Sequence, residues 1–363
     1  MITFTDTRAY NQTFAEGFEE DLKKILRTGQ YILGDEVKQI EARIAEYIGT
    51  PHCVAVSSGT TALEIAFRSL ELKPDDEVIV PANAYIACIL GALASTAKIV
   101  PVDCKQDATL DIDMVESACT SKTKAILVVH LYGDSCDMVR LSTLCKDRSL
   151  FLIEDCAQSF GSLYGHKKLG SFGTISCHSF YPTKNLGSLG DAGAICTHDE
   201  AIAKKCKMMR NLGSPEKYKT ELIGTNGRMD TLQAAFLLRK LDDVDAFISR
   251  KRRVAEIFAT ELGDLHVRSS DSNVYHSYHL FVIRVTNRDE FCKRMLALGI
   301  ETIIHYPIPY YKTTPFKDLE LSFPVTEALA DSILSIPVHA YMSDKDIHYI
   351  LHSIRDETPS SSK

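Results

Sequence analysis

Apolar positions follow two rhythms along this chain, and the change of rhythm marks its architecture. Phe14, Phe18, Leu22, Ile25 and Leu26 fall at helical spacing. So do Val37, Ile40, Ile44 and Ile48, with Gly34 between the two runs. From Cys53 onward short apolar runs take over: Val54–Ser57, Glu77–Pro81, Lys98–Asp103, Lys124–His130, Leu150–Asp155, Ile175–Phe180 and Ala192–Thr197. Apolar runs of this length bounded by turns read as buried strands. Alternating with helices or loops, such as the helical stretch Tyr85–Ala97, they predict a mostly parallel sheet covered on both faces. After Thr197 the helical rhythm returns in Ala201–Leu212, Met229–Leu241 and Asp242–Leu262, with a long link at Asn211–Asn226. Tyr278–Val285, Gly299–His305 and Ile333–Ile336 then read as strands, and Arg288–Leu298 and Asp344–Ile354 as helices.

The expected fold class is therefore α/β. A large domain over residues 13–245 carries a seven-stranded, mostly parallel sheet, and a smaller C-terminal α+β domain spans 246–363, with residues 1–12 available to pack on it. The length of 363 residues agrees, since it exceeds what one core usually fills. The Ser-rich end, Asp356–Lys363, is expected to fray.

Composition removes several classes of function. A net charge of −7 argues against nucleic acid as a partner. The 11 cysteines are odd in number and contain no CxxC pair, which predicts a reduced, cytoplasmic protein. His276 and His279 are spaced like metal ligands, but no second pair accompanies them, so no metal is expected. The N-terminus lacks a signal-peptide core. The most apolar region, Val78–Val102, is broken by Pro81, Asn83 and Lys98, so it reads as strand, loop, helix and strand and predicts no membrane span.

Three stretches carry candidate chemistry. In HSFYPTKNLGSLGDAGAI, Lys184 sits on an irregular link between two predicted strands, followed by Gly187, Gly190, Asp191 and Gly193. A lysine that does carbonyl chemistry must be kept from bulk water or near positive charge. In LFLIEDCAQSFGS, Glu154 and Asp155 close a predicted buried strand, where ligands of open α/β sheets gather, and Gln158 follows. In CVAVSSGTTALEIAFRSL, a strand runs through Ser57-Ser58-Gly59-Thr60-Thr61 into a helix. Hydroxyls, a glycine and free amides at a helix start form a phosphate cup. Each stretch alone has a plain structural reading. Together they match pyridoxal 5'-phosphate, whose phosphate needs a helix N-terminus, whose ring nitrogen needs a carboxylate, and whose aldehyde needs a lysine. The first strand does not end in GxGxxG, which disfavours a nicotinamide cofactor.

The chain resembles the sugar-nucleotide aminotransferases of the DegT/DnrJ/EryC1/StrS family, which have the aspartate aminotransferase fold (PLP-dependent transferase fold type I). The motifs that carry the resemblance span nearly the whole sequence: YILGDEVKQIE, SSGTTAL, VPANAYIA, IEDCAQSFGS, SFYPTKNLGSLGDAGAI, GTNGRMDTLQAAFL, HYPIP and LSIPVHAYMSDKDI. The resemblance implies a Schiff-base role for Lys184 and ring-nitrogen and phenolic-oxygen contacts for Asp155 and Gln158. It places Ser58, Gly59, Thr60 and Ser179 on the phosphate and the ring of Tyr85 on the cofactor. Asn226 would reach the phosphate from a neighbouring subunit, which implies a homodimer with shared sites. Tyr181, Tyr218, Arg228, His305 and Tyr306 are the implied substrate contacts, and L-glutamate is the implied amino donor.

The substrate implied is a nucleotide-linked keto sugar. NLGSLGDAGAI and IHYPIP are similar to members that aminate C3, so a dTDP-3-keto-6-deoxyhexose is expected to give a dTDP-3-amino-3,6-dideoxyhexose. Ser188 stands where alanine is common in these members. Two alternatives stay open: a 4-aminotransferase acting on a UDP-, dTDP- or GDP-4-keto-6-deoxyhexose, and a non-catalytic regulatory relative. Dehydratase relatives carry histidine in place of the lysine, unlike this chain.

Overall fold

The computed structural model describes residues 1–216 and 218–358. Its strands, in chain order, are β1 His52–Val56, β2 Glu77–Pro81, β3 Lys98–Val102, β4 Thr123–Val129, β5 Phe151–Asp155, β6 Leu163–Tyr164, β7 Lys167–Lys168, β8 Ile175–Ser179, β9 Gly193–Thr197, β10 Val274–Tyr275, β11 Phe281–Arg284 and β12 Ile333–Ile336. Seven of these form the central sheet, in the order β1-β9-β8-β5-β4-β2-β3. Strand β9 pairs antiparallel with both neighbours, and the other pairings are parallel. Six of the seven strands therefore point the same way, as the apolar runs predict.

Both sheet faces are covered. In β4, Ala125, Leu127 and Val129 enter one apolar core, and Ile126 and Val128 enter the core on the opposite face. This alternation follows from the pleat, which sends successive side chains to opposite sides. Under β1 and β9, Val37, Ile40 and Ile44 of the helix Asp35–Ile48 meet Ala234, Leu237 and Leu241 of the helix Thr231–Leu241.

A separate core lies in the C-terminal part, around the antiparallel pair β11–β12. The helix Val244–Leu262 runs across the division expected at 245/246 and joins both cores. Val244 and Ile248 pack with the sheet layer, while Val254, Phe258 and Leu262 pack with the C-terminal part. The first residues do pack on that part: the amide of Ile2 donates to Gly299 O at 2.7 Å, and that of Phe4 to Glu301 Oε2 at 2.9 Å.

The strand expected at Gly299–His305 is not formed. Ile300 and Ile303 make only isolated bridges, to Ile2 and Ser335. Pro307 and Pro309, just beyond Tyr306, lack amide donors, so a ladder has nowhere to continue. The last helix, Asp344–Glu357, takes in two residues expected to fray, and residues 359–363 of that tail lie outside the described residues.

Candidate active site

The parallel strands deliver their C-terminal ends to one edge of the sheet, and the candidate residues follow from that. β1 ends at Val56 and leads to Ser58, β5 ends at Asp155, and β8 ends at Ser179 and leads to Lys184. Register ties these ends together: Val56 lies opposite Gly193, Gly193 opposite Ser179, and Asp155 opposite Cys177. A cavity of about 530 Å³ opens at this edge. Ser58, Gly59, Thr60, Tyr85, Asp155, Gln158, Ser179, Tyr181, Lys184, His305 and Tyr306 all line it.

The helix start sets a capping hydroxyl beside free amides. Ser58 caps the helix Gly59–Ser69, its Oγ accepting the Thr61 amide at 3.0 Å. The amides of the first turn have no carbonyl inside the helix to bond. The approach to β8 is so close that a Cβ on residue 59 would stand 2.7 Å from Ser179 Cβ. Glycine is needed there, and this brings the helix start and the Ser179 hydroxyl to one rim.

Lys184 is half-buried, and its Nζ has no hydrogen-bond partner among the described residues. Burial lowers its amine from 10.5 to about 8, against the opposing charge of Asp155. Asp155 is itself buried. Its Oδ1 accepts the Ala157 amide at 2.9 Å, and its Oδ2 accepts from Cys88 Sγ at 2.9 Å. Glu154, one residue earlier, points to the other face and serves a structural end. Its oxygens accept from His130 Nε2 and from the amides of Gly170, Phe172 and Gly173. Burial works against its ionisation, but these donors outweigh burial and hold the carboxyl below its usual range. With its lone pairs so used, Glu154 anchors a turn and is poorly placed to be a metal ligand beside His130 and Cys156.

The C-terminal part supplies the opposite wall. Tyr306 stacks on Tyr85, with ring centroids 4.9 Å apart at 27°. Gln158 Nε2 donates to the Tyr306 hydroxyl at 2.9 Å, and its Oε1 accepts the Tyr132 amide at 2.7 Å. His305 Nδ1 pairs with Ser335 Oγ at 2.8 Å, and burial together with the charge of Lys184 lowers the imidazole to about 4, so it is neutral at pH 7. Tyr85 is 48% exposed, so its ring is not packed into the core.

Three sequence candidates lie elsewhere. Asn226 is exposed on a bridge with Asn211, Arg228 Nη1 donates to Asn211 Oδ1 at 3.0 Å, and Tyr218 is 91% exposed; none lines the cavity of its own chain. The structure also adds residues that sequence did not single out. Lys240 and Lys251 are buried in the cavity wall, and burial lowers each amine to about 7. Lys240 Nζ donates to Asn11 Oδ1 and Gly187 O, and Lys251 Nζ to Asn185 Oδ1 and His279 O. Phe4, Thr5, Asp6 and Thr7 form part of the rim.

The model of the DegT/DnrJ/EryC1/StrS aminotransferase family matches residues 12–355. The chain belongs to that family. It is 39% identical over 360 residues to the dTDP-3-amino-3,6-dideoxy-alpha-D-galactopyranose transaminase of Aneurinibacillus thermoaerophilus, covering 98% of this chain and 99% of the relative. It is 36% identical over 364 residues to the dTDP-3-amino-3,4,6-trideoxy-alpha-D-glucose transaminase of Streptomyces venezuelae, covering 98% and 96%. The solved structure of S. venezuelae DesV in complex with a ketimine intermediate superposes with a TM-score of 0.95 at 36% identity, covering 99% of each chain. As a member of this aminotransferase family the chain has the PLP-dependent transferase fold expected from its motifs. No helix among the described residues is long and apolar enough to cross a membrane.

Proposed function

We propose that this aminotransferase moves an amino group from glutamate to a nucleotide-linked keto sugar, converting a dTDP-3-keto-6-deoxyhexose to a dTDP-3-amino-3,6-dideoxyhexose. The observation that carries the reading is the grouping of half-buried Lys184, buried Asp155 and the capped helix start Ser58–Thr60 around one cavity. The similarity to two transaminases named for 3-amino sugars on dTDP supports the choice of C3 and of nucleotide.

The residues fit pyridoxal phosphate, which when bound supplies an aldehyde to carry the amino group and a protonated ring to take up electrons. Ser58, Gly59, Thr60 and Ser179 would hold the phosphate at the helix start. Asp155 would keep the ring nitrogen protonated by charge. Gln158 has a second amide hydrogen beyond the one given to Tyr306, which it would offer to the phenolic oxygen. Tyr85 offers its ring face. The Lys184 amine would take a proton from the donor carbon that bears the amino group and hold it for return on the far side of that nitrogen. That work needs a neutral amine, and burial favours the neutral form. Neutral His305 and protonated Tyr306 offer hydrogen bonds to sugar hydroxyls. Tyr181 stands at the mouth.

Asn226, Arg228 and Tyr218 are assigned to the cavity of a second copy. Their position outside their own chain's cavity supports a homodimer with shared sites. So does the exposure of Leu212 and Ile223 on the same link, since large apolar side chains left in water together mark a contact surface. The cavity lysine argues against a purely regulatory role, because such a role has no use for a neutral amine beside a carboxylate.

Purified protein given glutamate and a panel of nucleotide-linked keto sugars tests the reading, with the product followed by NMR. The expected product carries its amine on C3 of a dTDP sugar. An amine on C4, or turnover only with UDP-linked 4-keto sugars, would overturn the substrate assignment and leave the aminotransferase reading intact.

A further inference from the structure

The helix Ile86–Leu93 serves the cavity twice within its first turn. Tyr85, its N-cap residue, presents a ring at the mouth, and Ala87 lines the wall. Cys88 turns inward and is 1% exposed. Its Sγ donates to Asp155 Oδ2 at 2.9 Å, while Asp155 Oδ1 accepts the Ala157 amide. The carboxylate is therefore gripped from two elements, with one donor on each oxygen. Burial, reinforced by the charge of Asp155, pushes the Cys88 thiol well above its usual range, so the thiol keeps the hydrogen it donates.

We infer that Cys88 is a positioning residue: it orients the Asp155 carboxylate and sets how firmly that carboxylate holds a proton on the ring nitrogen of the cofactor. The inference rests on the pyridoxal phosphate reading of the cavity. A donor on a carboxylate favours its charged form. The charged form is the one that keeps a facing nitrogen protonated. Without the donor the carboxylate can rotate about its own bond and becomes a poorer charged partner for the ring nitrogen. A thiol donates more weakly than a hydroxyl, so Cys88 grips Asp155 less firmly than serine would. The side chain acts through Asp155 and touches no reacting atom, so its effect should appear in the cofactor's electronics.

Cys88→Val and Cys88→Ser separate this role from packing. Valine fills a similar space without a donor, and serine keeps the donor in less space. The readout is the pH midpoint of the visible absorption band of the bound cofactor. A proton on the ring lowers the basicity of the rest of the conjugated system, so weaker ring protonation raises the midpoint. The valine variant should shift the midpoint upward by about half a unit or more and slow turnover about tenfold, the scale of losing one hydrogen bond to a charged group. The serine variant should have a midpoint at or below that of the parent, and near-parental turnover. If the valine variant fails to fold, the serine midpoint decides alone. A serine midpoint above the parent's, or a valine midpoint equal to it, overturns the inference. A parent protein that binds no cofactor would refute the functional reading, which is a different and distinguishable failure.

Discussion

Burial of Lys184 sets a pH dependence that a solvated lysine does not share. Its amine is lowered from 10.5 to about 8, with burial as the cause. Only the neutral amine attacks an aldehyde. At pH 7 an amine with a midpoint near 8 is about 10% neutral, while one at 10.5 is about 0.03% neutral, a ratio of roughly 300. Cofactor-free protein mixed with pyridoxal phosphate reports this directly, through the growth rate of the absorption band between pH 6 and 10. The logarithm of the rate should rise with pH and level off near pH 8, because a lowered midpoint makes the neutral form available above that pH and withdraws it below. Asp155→Asn refines the test. The charge of Asp155 is the largest opponent of the shift, so removing it should move the midpoint below 8. The same variant should still lose at least ~100-fold in turnover, because asparagine cannot hold a ring proton by charge. A midpoint near that of a solvated lysine, or an upward shift in the asparagine variant, would show that burial does not set the amine's protonation.

The remaining predictions concern fit, assembly and stability. Gly59→Ala would set a Cβ 2.7 Å from Ser179 Cβ and 3.2 Å from its Cα, so cofactor dissociation constants should rise about tenfold in a fluorescence titration; unchanged affinity would mean the rim is not the phosphate site. Mixed and re-associated chains of Lys184→Ala and Arg228→Ala should recover about a quarter of parental activity, since half the dimers would be mixed and each would keep one intact site. No recovery, or a fully active monomer in sedimentation, would end the shared-site reading. Cofactor-free protein should gain stability from pH 7 to 8.5. Lys240 and Lys251 are lowered to about 7 in the fold, so the unfolded chain binds more protons across that window, and stability rises with pH. Denaturant midpoints that stay flat or fall across this range would contradict the burial of both amines.

Much of the sheet could be read in advance because its strands are uninterrupted apolar runs. Ala125–Val129 is buried on both sides, and a run of that kind has few other uses. The grouping of these candidate residues was legible to the same extent: Ser58, Asp155 and Ser179 stand at or just past strand ends, and parallel strands bring such ends to one edge. What escaped was tertiary. Lys251 sits in the basic run SRKRR, where nothing local separates a buried amine from a solvated one. Cys88 reads as one more small apolar residue on a buried helix, and its bond to Asp155 depends on how two distant elements pack. Residues 4–7 reach the cavity only because Ile2 and Phe4 are tied to Gly299 and Glu301, more than 290 positions away in sequence. The failed strand at Gly299–His305 has a local cause, since Pro307 and Pro309 stand just beyond it.

Among the described residues three lysines line the cavity wall, and Lys184 is the one proposed to bond the cofactor. Lys240 and Lys251 are also buried and also lowered, but each amine already donates to two oxygens, whereas that of Lys184 has no such partner among the described residues. Borohydride reduction of the protein with pyridoxal phosphate, followed by digestion and peptide mass mapping, tests this most directly. The cofactor's added mass should appear on the peptide containing Lys184 and be absent from Lys184→Ala. The same mass on Lys240 or Lys251, or undiminished labelling and turnover in the alanine variant, would contradict it.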